Sequence, residues 1–269
     1  MRLRKNTCTC SSRLSLPACE CYPMNSILTI LGVNIHALPM TDLLSQLQDS
    51  LQKRQRLLVG NVNIHALNLA WERASFQKAL NSFDIVFCDG FGVKLGAWLI
   101  GKHIPERYTP PDFIHQVMQI ASKQGGGVFL LGAAPGVALH AAQALLLHTP
   151  ELRIAGTQHG YFDKSQGSED NEAVITLINN SQAAILLVAF GMPQQEEWLA
   201  ENWQQLNVKV TLTVGALFDT LAGDIPRAPR WVTDHGLEWL ARLIIEPRRL
   251  WRRYIVGIPV FFWRILYHH

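Results

Sequence analysis

Short apolar runs alternate with amphipathic segments along most of this chain. Ile27–Leu31, Leu57–Val62, Ile85–Cys88, Val128–Leu131, Arg153–Gly156, Ala184–Phe190 and Val208–Val214 are runs of four to seven residues rich in β-formers, and read as strands. Between them Met40–Gln52, Ile64–Leu80, Val93–Ile100, Asp112–Lys123, Gly136–His148, Asn171–Asn179 and Gln194–Leu206 carry apolar residues at helical spacing. Pro110-Pro111 suits the start of one helix and Pro150 the end of another. Strands that are apolar throughout, rather than on alternate positions, are buried on both faces. The pattern therefore predicts an α/β fold: a Rossmann-like, mostly parallel sheet with helices on both faces, plus a C-terminal helical, membrane-associating appendage. The expected division is a tail at 1–25, an α/β catalytic domain at 26–226 and a basic, Trp-rich helical appendage at 227–269.

Ligands of such sheets bind beyond the carboxyl ends of the strands, so the residues just past each strand matter most. Here the strands run out into Asn61-Val62-Asn63, Asp89-Gly90, Gly132-Ala133-Ala134-Pro135-Gly136, His159-Gly160-Tyr161, Gly191-Met192-Pro193-Gln194-Gln195-Glu196 and Gly215 with Asp219. Six polar or glycine endings on one edge make a polar pocket above an apolar sheet. Asp89 is its most pointed member. Aspartate before glycine is an ordinary turn former, but a carboxylate ending a buried strand is also placed to act as a general base. The glycine-rich turn from Gly132 opens a helix and is either a phosphate-binding turn or a tight strand-to-helix connection; the spacing is not GxGxxG. Gln195 falls in the first turn of its helix, aimed at the sheet edge or at solvent. His36, His65, His103 and His115 carry no assigned role. No G-x-S-x-G elbow occurs, which argues against a hydrolase.

Charge sharpens the picture because it is localised. The net charge is only +3, yet the segment from Arg227 to Arg264 holds eight arginines against three acids. In it Arg242, Arg249 and Arg252 fall near one face of a continuous helix, approximate because Pro247 intervenes. Trp239, Trp251, Phe261, Phe262 and Trp263 are interspersed with them. Arginines among tryptophans fit a helix lying at an anionic membrane interface, with a core helix bearing a solvated arginine face, or a nucleic-acid surface, as rivals. No run of 18 apolar residues exists that could span a bilayer. Asp-x-Asp is absent, so a diphosphate bound here would meet arginines, Arg107 among them, in place of a motif-held metal. Cys8, Cys10, Cys19 and Cys21 crowd the first 21 residues; their CxC pairs lack supporting histidines, and a polar tail is the plainer reading than zinc. Without an apolar leader ahead of them, a cytoplasmic location is expected.

The series DIVFCDGFGV, ERYTPPDF, VFLLGAAPGVA, IAGTQHGYF, FGMPQQEEW, VGALFDTLAG, RAPRW and GLEWLARLIIEPRRLWRR resembles the WecG/TagA/CpsF glycosyltransferases over about Ile27 to Arg253. The resemblance implies an inverting, metal-independent, cofactor-free hexosyltransferase working at the inner face of the cell membrane. It implies a UDP-sugar donor, a polyprenyl-diphosphate-linked acceptor and a membrane surface as partners; an anionic lipid surface is expected from the basic tail, no nucleic acid is expected, and a homo-oligomer is allowed for. By the same resemblance Asp89 is the base, with Arg107 and Gln195 beside it. The resemblance also assigns Asp219, Arg242, Arg249 and Arg252 to substrate binding, and the strand-end residues Asn61, Asn63, Gly132 and Tyr161 are expected to join them. Many members have Thr-x-Asn where this chain has Asn61-Val62-Asn63, so hydrogen bonding to the sugar is expected to differ there. The alternative on the same fold is a nucleotide-binding oxidoreductase or a non-catalytic nucleotide sensor.

Overall fold

The structure, a computed structural model, describes residues 26–225 and 237–268. The Cys-rich start and the RAPRW motif lie outside the described residues. Six strands form one parallel sheet: β3 (Leu57–Val62), β4 (Ile85–Cys88), β5 (Gly127–Gly132), β6 (Arg153–Gln158), β7 (Ala183–Ala189) and β8 (Val210–Thr213), in the spatial order β4-β3-β8-β7-β5-β6. At its centre β5 and β8 are buried from end to end, and β3 and β7 at all but one residue each, as their continuous apolar runs require.

Each face is sealed by helices. On one side α2 (Ile64–Glu72), α3 (Ala74–Asn81), α4 (Phe91–Leu99), α7 (Glu169–Asn180) and α8 (Gln194–Asn202) contribute Leu67, Phe76, Val93, Ile178 and Leu199 to a core cluster. On the other, α1 (Met40–Lys53), α5 (Pro110–Lys123), α6 (Val137–His148) and α9 (Leu217–Ala222) contribute Leu43, Phe113, Ala141 and Phe218. Local chemistry fixes the helix starts. At α5, Asp112 Oδ2 accepts from the Thr109 backbone N–H at 2.8 Å in a capping box, with Pro110 and Pro111 in the first turn.

Three elements differ from the sequence pattern. Ile27–Leu31 is half of an antiparallel hairpin, β1 (Ile27–Ile30) with β2 (Val33–His36), turning through Leu31 and Gly32, both at positive φ. The hairpin guards the free edge of β4: the Val86 N–H donates to His36 Nδ1 at 3.0 Å. The single helix expected over Ile64–Leu80 is two, broken where Arg73 is extended between α2 and α3. A short helix, α9, follows β8 where none was expected.

The C-terminal segment comprises α10 (Glu238–Ile245), α11 (Pro247–Trp251), a π-helical turn (Arg252–Val256) and α12 (Gly257–His268). Expected as an appendage, its last helix shares the core of the α/β unit. Phe261 and Ile265 are fully buried in the same cluster as Val93 and Ala97. Gly96 makes the approach: a Cβ there would sit 2.7 Å from the Phe261 ring. Phe261→Ala should therefore destabilise the whole protein by about 3–5 kcal/mol. The check is urea unfolding followed by circular dichroism, where a single shifted transition is expected in place of separate loss of the tail.

Candidate functional site

A cleft of about 830 Å³ lies beyond the carboxyl ends of β3, β4, β7 and β8 and runs under the C-terminal segment. Seven of the residues singled out in the sequence line it: Asn61, Asn63, Asp89, Arg107, Arg242, Arg249 and Arg252. Its floor is made by neighbouring strand ends. The Asp89 N–H donates to Val62 O at 2.8 Å, extending the β3–β4 pairing by one step and setting the acid beside the end of β3. The Asn63 side chain is occupied as the N-cap of α2, accepting from Ala66 N–H at 3.1 Å. Asn61 differs: its Oδ1 is sealed from solvent and has no partner, so it is an acceptor awaiting a donor.

Arg107 reaches the cleft from a loop pinned on either side. Glu106 Oε2 accepts from the Met40 N–H at 2.8 Å. Tyr108 stacks on Phe87 with ring centroids 4.8 Å apart, and its hydroxyl donates to Leu38 O. The ERYTPPDF motif thus holds its arginine with the residues on both sides and then starts α5.

Four predicted residues are not among those lining the cleft. Gln195 is fully buried; its Oε1 accepts from the Gly191 and Gly215 N–H groups at 3.3 and 3.2 Å, and its Nε2 donates to Glu196 Oε1 at 2.7 Å. It ties together two loops whose glycines do line the cleft. Gly132 is required by packing, since at its φ of +138° a Cβ would lie 2.4 Å from Ala189 O. Its turn is sewn to its neighbours, Ala133 N–H donating to Ala189 O and Gly160 N–H to Ala133 O. Tyr161 is 73% exposed outside the cleft. Asp219 is half-buried, and burial raises its pKa while nearby Arg249 opposes the rise.

Two cleft residues given no part in the sequence reading are His65 and Arg253. Burial, reinforced by the charge of Arg253, pushes His65 down to about 4, so it is neutral at physiological pH. Its place in the second position of a helix that starts at a strand end was the available signal.

A model of the glycosyl transferase WecG/TagA/CpsF family matches residues 28–269. The chain belongs to this family. It is 27% identical over 238 residues to an N-acetylglucosaminyldiphosphoundecaprenol N-acetyl-beta-D-mannosaminyltransferase of Staphylococcus aureus (strain MRSA252), covering 88% of this chain and 91% of the relative. Relatives of the same name from Bacillus subtilis (strain 168) and Bacillus spizizenii are 29% and 30% identical over 203 and 199 residues. These matches cover 75% and 74% of this chain, and 76% and 74% of the relatives. Membership makes the protein a glycosyltransferase.

Behind the cleft, Glu196 is fully buried with Oε2 unpartnered, and burial pushes its pKa from 4.5 up to about 7 against the bond from Gln195. A carboxyl raised in the folded state stabilises below its unfolded pKa, and that stability is lost as pH rises through about 7. Glu196→Gln keeps an oxygen for Gln195 and cannot ionise. It should gain on the order of 3 kcal/mol relative to wild type between pH 4 and pH 8, measured by urea unfolding at both pH values.

Proposed function

We propose that this glycosyltransferase moves a hexose from a UDP-sugar to a saccharide on polyprenyl diphosphate, with inversion at the anomeric carbon, in cell-surface polysaccharide synthesis. The observation that carries the reading is a strand-end carboxylate, Asp89, in a cleft lined by five arginines: Arg107, Arg242, Arg249, Arg252 and Arg253. The names of the relatives supply the chemistry, an N-acetylglucosaminyldiphosphoundecaprenol acceptor and an N-acetylmannosaminyl group transferred; the donor nucleotide and the stereochemistry are our reading. For this chain the sugar is taken only as N-acetylmannosamine-like or another hexose, because Asn61 departs from the family pattern.

In this mechanism the Asp89 carboxylate accepts the proton of an acceptor hydroxyl. The oxygen attacks the anomeric carbon from the face opposite the nucleotide. The new C–O bond forms as the bond to the diphosphate oxygen breaks, and UDP departs with the electron pair. Guanidiniums offset the charge that grows on the leaving group, and among the described residues no three His, Cys, Asp or Glu side chains converge. Asn61 Oδ1 suits a sugar hydroxyl or amide donor. Gln195 acts behind the wall, holding the Gly191 and Gly215 loops, while Asp219 near Arg249 is kept as a nucleotide contact. Gly132 and Tyr161 are retained as contacts to substrate parts beyond the cleft.

The same reading makes the enzyme peripheral on the inner membrane face, with the α/β unit as catalytic body and the C-terminal segment as membrane contact. No helix among the described residues is long and apolar enough to cross a membrane. Trp251, Ile255, Trp263 and Leu266 are exposed beside the exposed arginines Arg248 and Arg252, a composition suited to an anionic interface.

Asp89→Asn should lower kcat by about 10²–10⁴-fold while UDP affinity by calorimetry stays within a few-fold; full turnover in the variant would remove the base assignment. Trp251→Ser with Trp263→Ser should weaken sedimentation with phosphatidylglycerol vesicles at least tenfold and leave the unfolding midpoint nearly unchanged. Undiminished vesicle binding would refute the docking surface.

A further inference from the structure

Arg253 stands apart from the other arginines of the cleft. The turn Arg252–Val256 is π-helical: the Gly257 N–H bonds to Arg252 O, five residues back. Such a turn inserts one extra residue and shifts the phase of its surroundings, and π turns recur at functional sites. Arg252 is exposed at this turn while Arg253 is drawn inward. The Arg253 Nε is sealed from solvent and has no hydrogen-bond partner. A buried guanidinium donor left unpaired is costly. Its electrostatic neighbours are Tyr254 and Asp89, which favour its charge, and Arg242 and Arg249, which oppose it. The other carboxylate on the cleft wall, Glu72, is paired with Arg264. Arg249 is paired with Glu246 at 2.6 Å, whereas the carboxylate among the electrostatic neighbours of Arg253 is Asp89, and the Arg253 Nε–H is left without an acceptor. The vacant Nε–H belongs to the edge of the fork that matches two phosphate oxygens side on.

We propose that Arg253 is a binding residue for a diphosphate group inside the cleft, held through its Nε edge. The proposal rests on the transferase reading above and adds to it an inward-facing arginine of the C-terminal segment with an unmet donor. The diphosphate comes from one of two sources: the nucleotide of the donor or the lipid-linked acceptor.

The test uses the full chain with Arg253→Lys and Arg253→Met. Calorimetry measures inorganic pyrophosphate and UDP, steady-state kinetics gives KM for a short-chain lipid diphosphate acceptor, and thermal unfolding checks that both variants are folded. Loss of one charge-assisted bond corresponds to roughly 10- to 100-fold weaker binding. A fall of that size for pyrophosphate and UDP in both variants supports the proposal with the donor as source. A comparable rise in acceptor KM with UDP unchanged supports it with the lipid diphosphate as source. If pyrophosphate and UDP affinities and acceptor KM all stay at wild-type values, the proposal is overturned. The same holds if the only change is an upward move of the acid limb of the pH–rate profile, because Arg253 then serves only to hold Asp89 ionised. Should the wild type transfer no hexose, the transferase reading fails by itself, and a pyrophosphate affinity lost in the variants still reports the anion site.

Discussion

Asn68 decides how the two halves of the cleft meet. Its Nδ2 donates to Gly257 O at 2.7 Å, at the start of α12. Two turns further on, Arg264 Nη1 donates to both the backbone O and the Oδ1 of Asn68 at 3.1 Å, while its Nη2 meets Glu72 Oε1 at 2.7 Å. Phe261 and Ile265 bury the intervening face against Gly96. Fully burying a phenylalanine contributes roughly 2–3 kcal/mol, and each bond to the guanidinium a similar amount at most. The apolar contact and the polar clamp are thus of comparable size, and the directional bonds of the clamp set the register of α12. Because α2 begins at Asn63, at the end of β3, the helix that receives the clamp also helps to build the cleft floor. The acid of the floor is held by the end of β3 through Val62 O, and α2, which starts there, holds the C-terminal helix.

That placement has an electrostatic consequence. His65 is held neutral by burial and by Arg253, so the positive charge of the cleft comes from guanidiniums alone and does not vary across the physiological range. Cys88, at the end of β4, is buried and pushed up to about 12, first by burial and then by Asp89 beside it, so it stays a thiol. Asp89 is left as the acid group at the strand ends of the cleft floor. Glu196, a carboxyl poised near neutrality, acts on the wall from behind, through Gln195 and the Gly191 and Gly215 loops.

The sheet could be read from the chain because double burial leaves an unmistakable trace: β3, β4 and β7 are apolar runs, and their ends were within a residue of the expected positions. The β1–β2 turn was hidden because Leu31 takes a positive φ that sequence signals reserve for Gly, Asn or Asp. The break at Arg73 left no mark, as the apolar period continues through it. At the site, Asn61 and Asp89 were visible because they lie at the ends of strands, and Arg107 because it lies in an anchored motif. Gln195 was visible as a motif residue but not as a buried one, since composition at a helix start does not say which residue turns inward. Arg253 was passed over although a continuous α-helix would put it near the face of Arg242 and Arg249. Spacing does not say which arginine turns inward, and in the π turn it is Arg253 rather than the exposed Arg252.

The cleft wall also changes character along its length. Near the strand ends Asn61, Asn63, Asp89 and the glycines of two loops share it with Phe190, Met192 and Val214. Under the C-terminal segment it becomes cationic, and towards α12 it is lined by Val256, Ile258, Val260 and Phe262. Beyond that edge Ile255, Trp263 and Leu266 are exposed. A sugar hydroxyl, a diphosphate and a hydrocarbon chain make up an acceptor of the proposed kind, and the cleft lining includes an acid, arginines and apolar side chains. A soluble nucleotide would use the first two zones and leave the third without a partner. The apolar zone is thus the part of the cleft that a lipid-linked acceptor explains and a donor nucleotide does not, and α12, which carries it, is fixed to the catalytic unit by the clamp on Asn68.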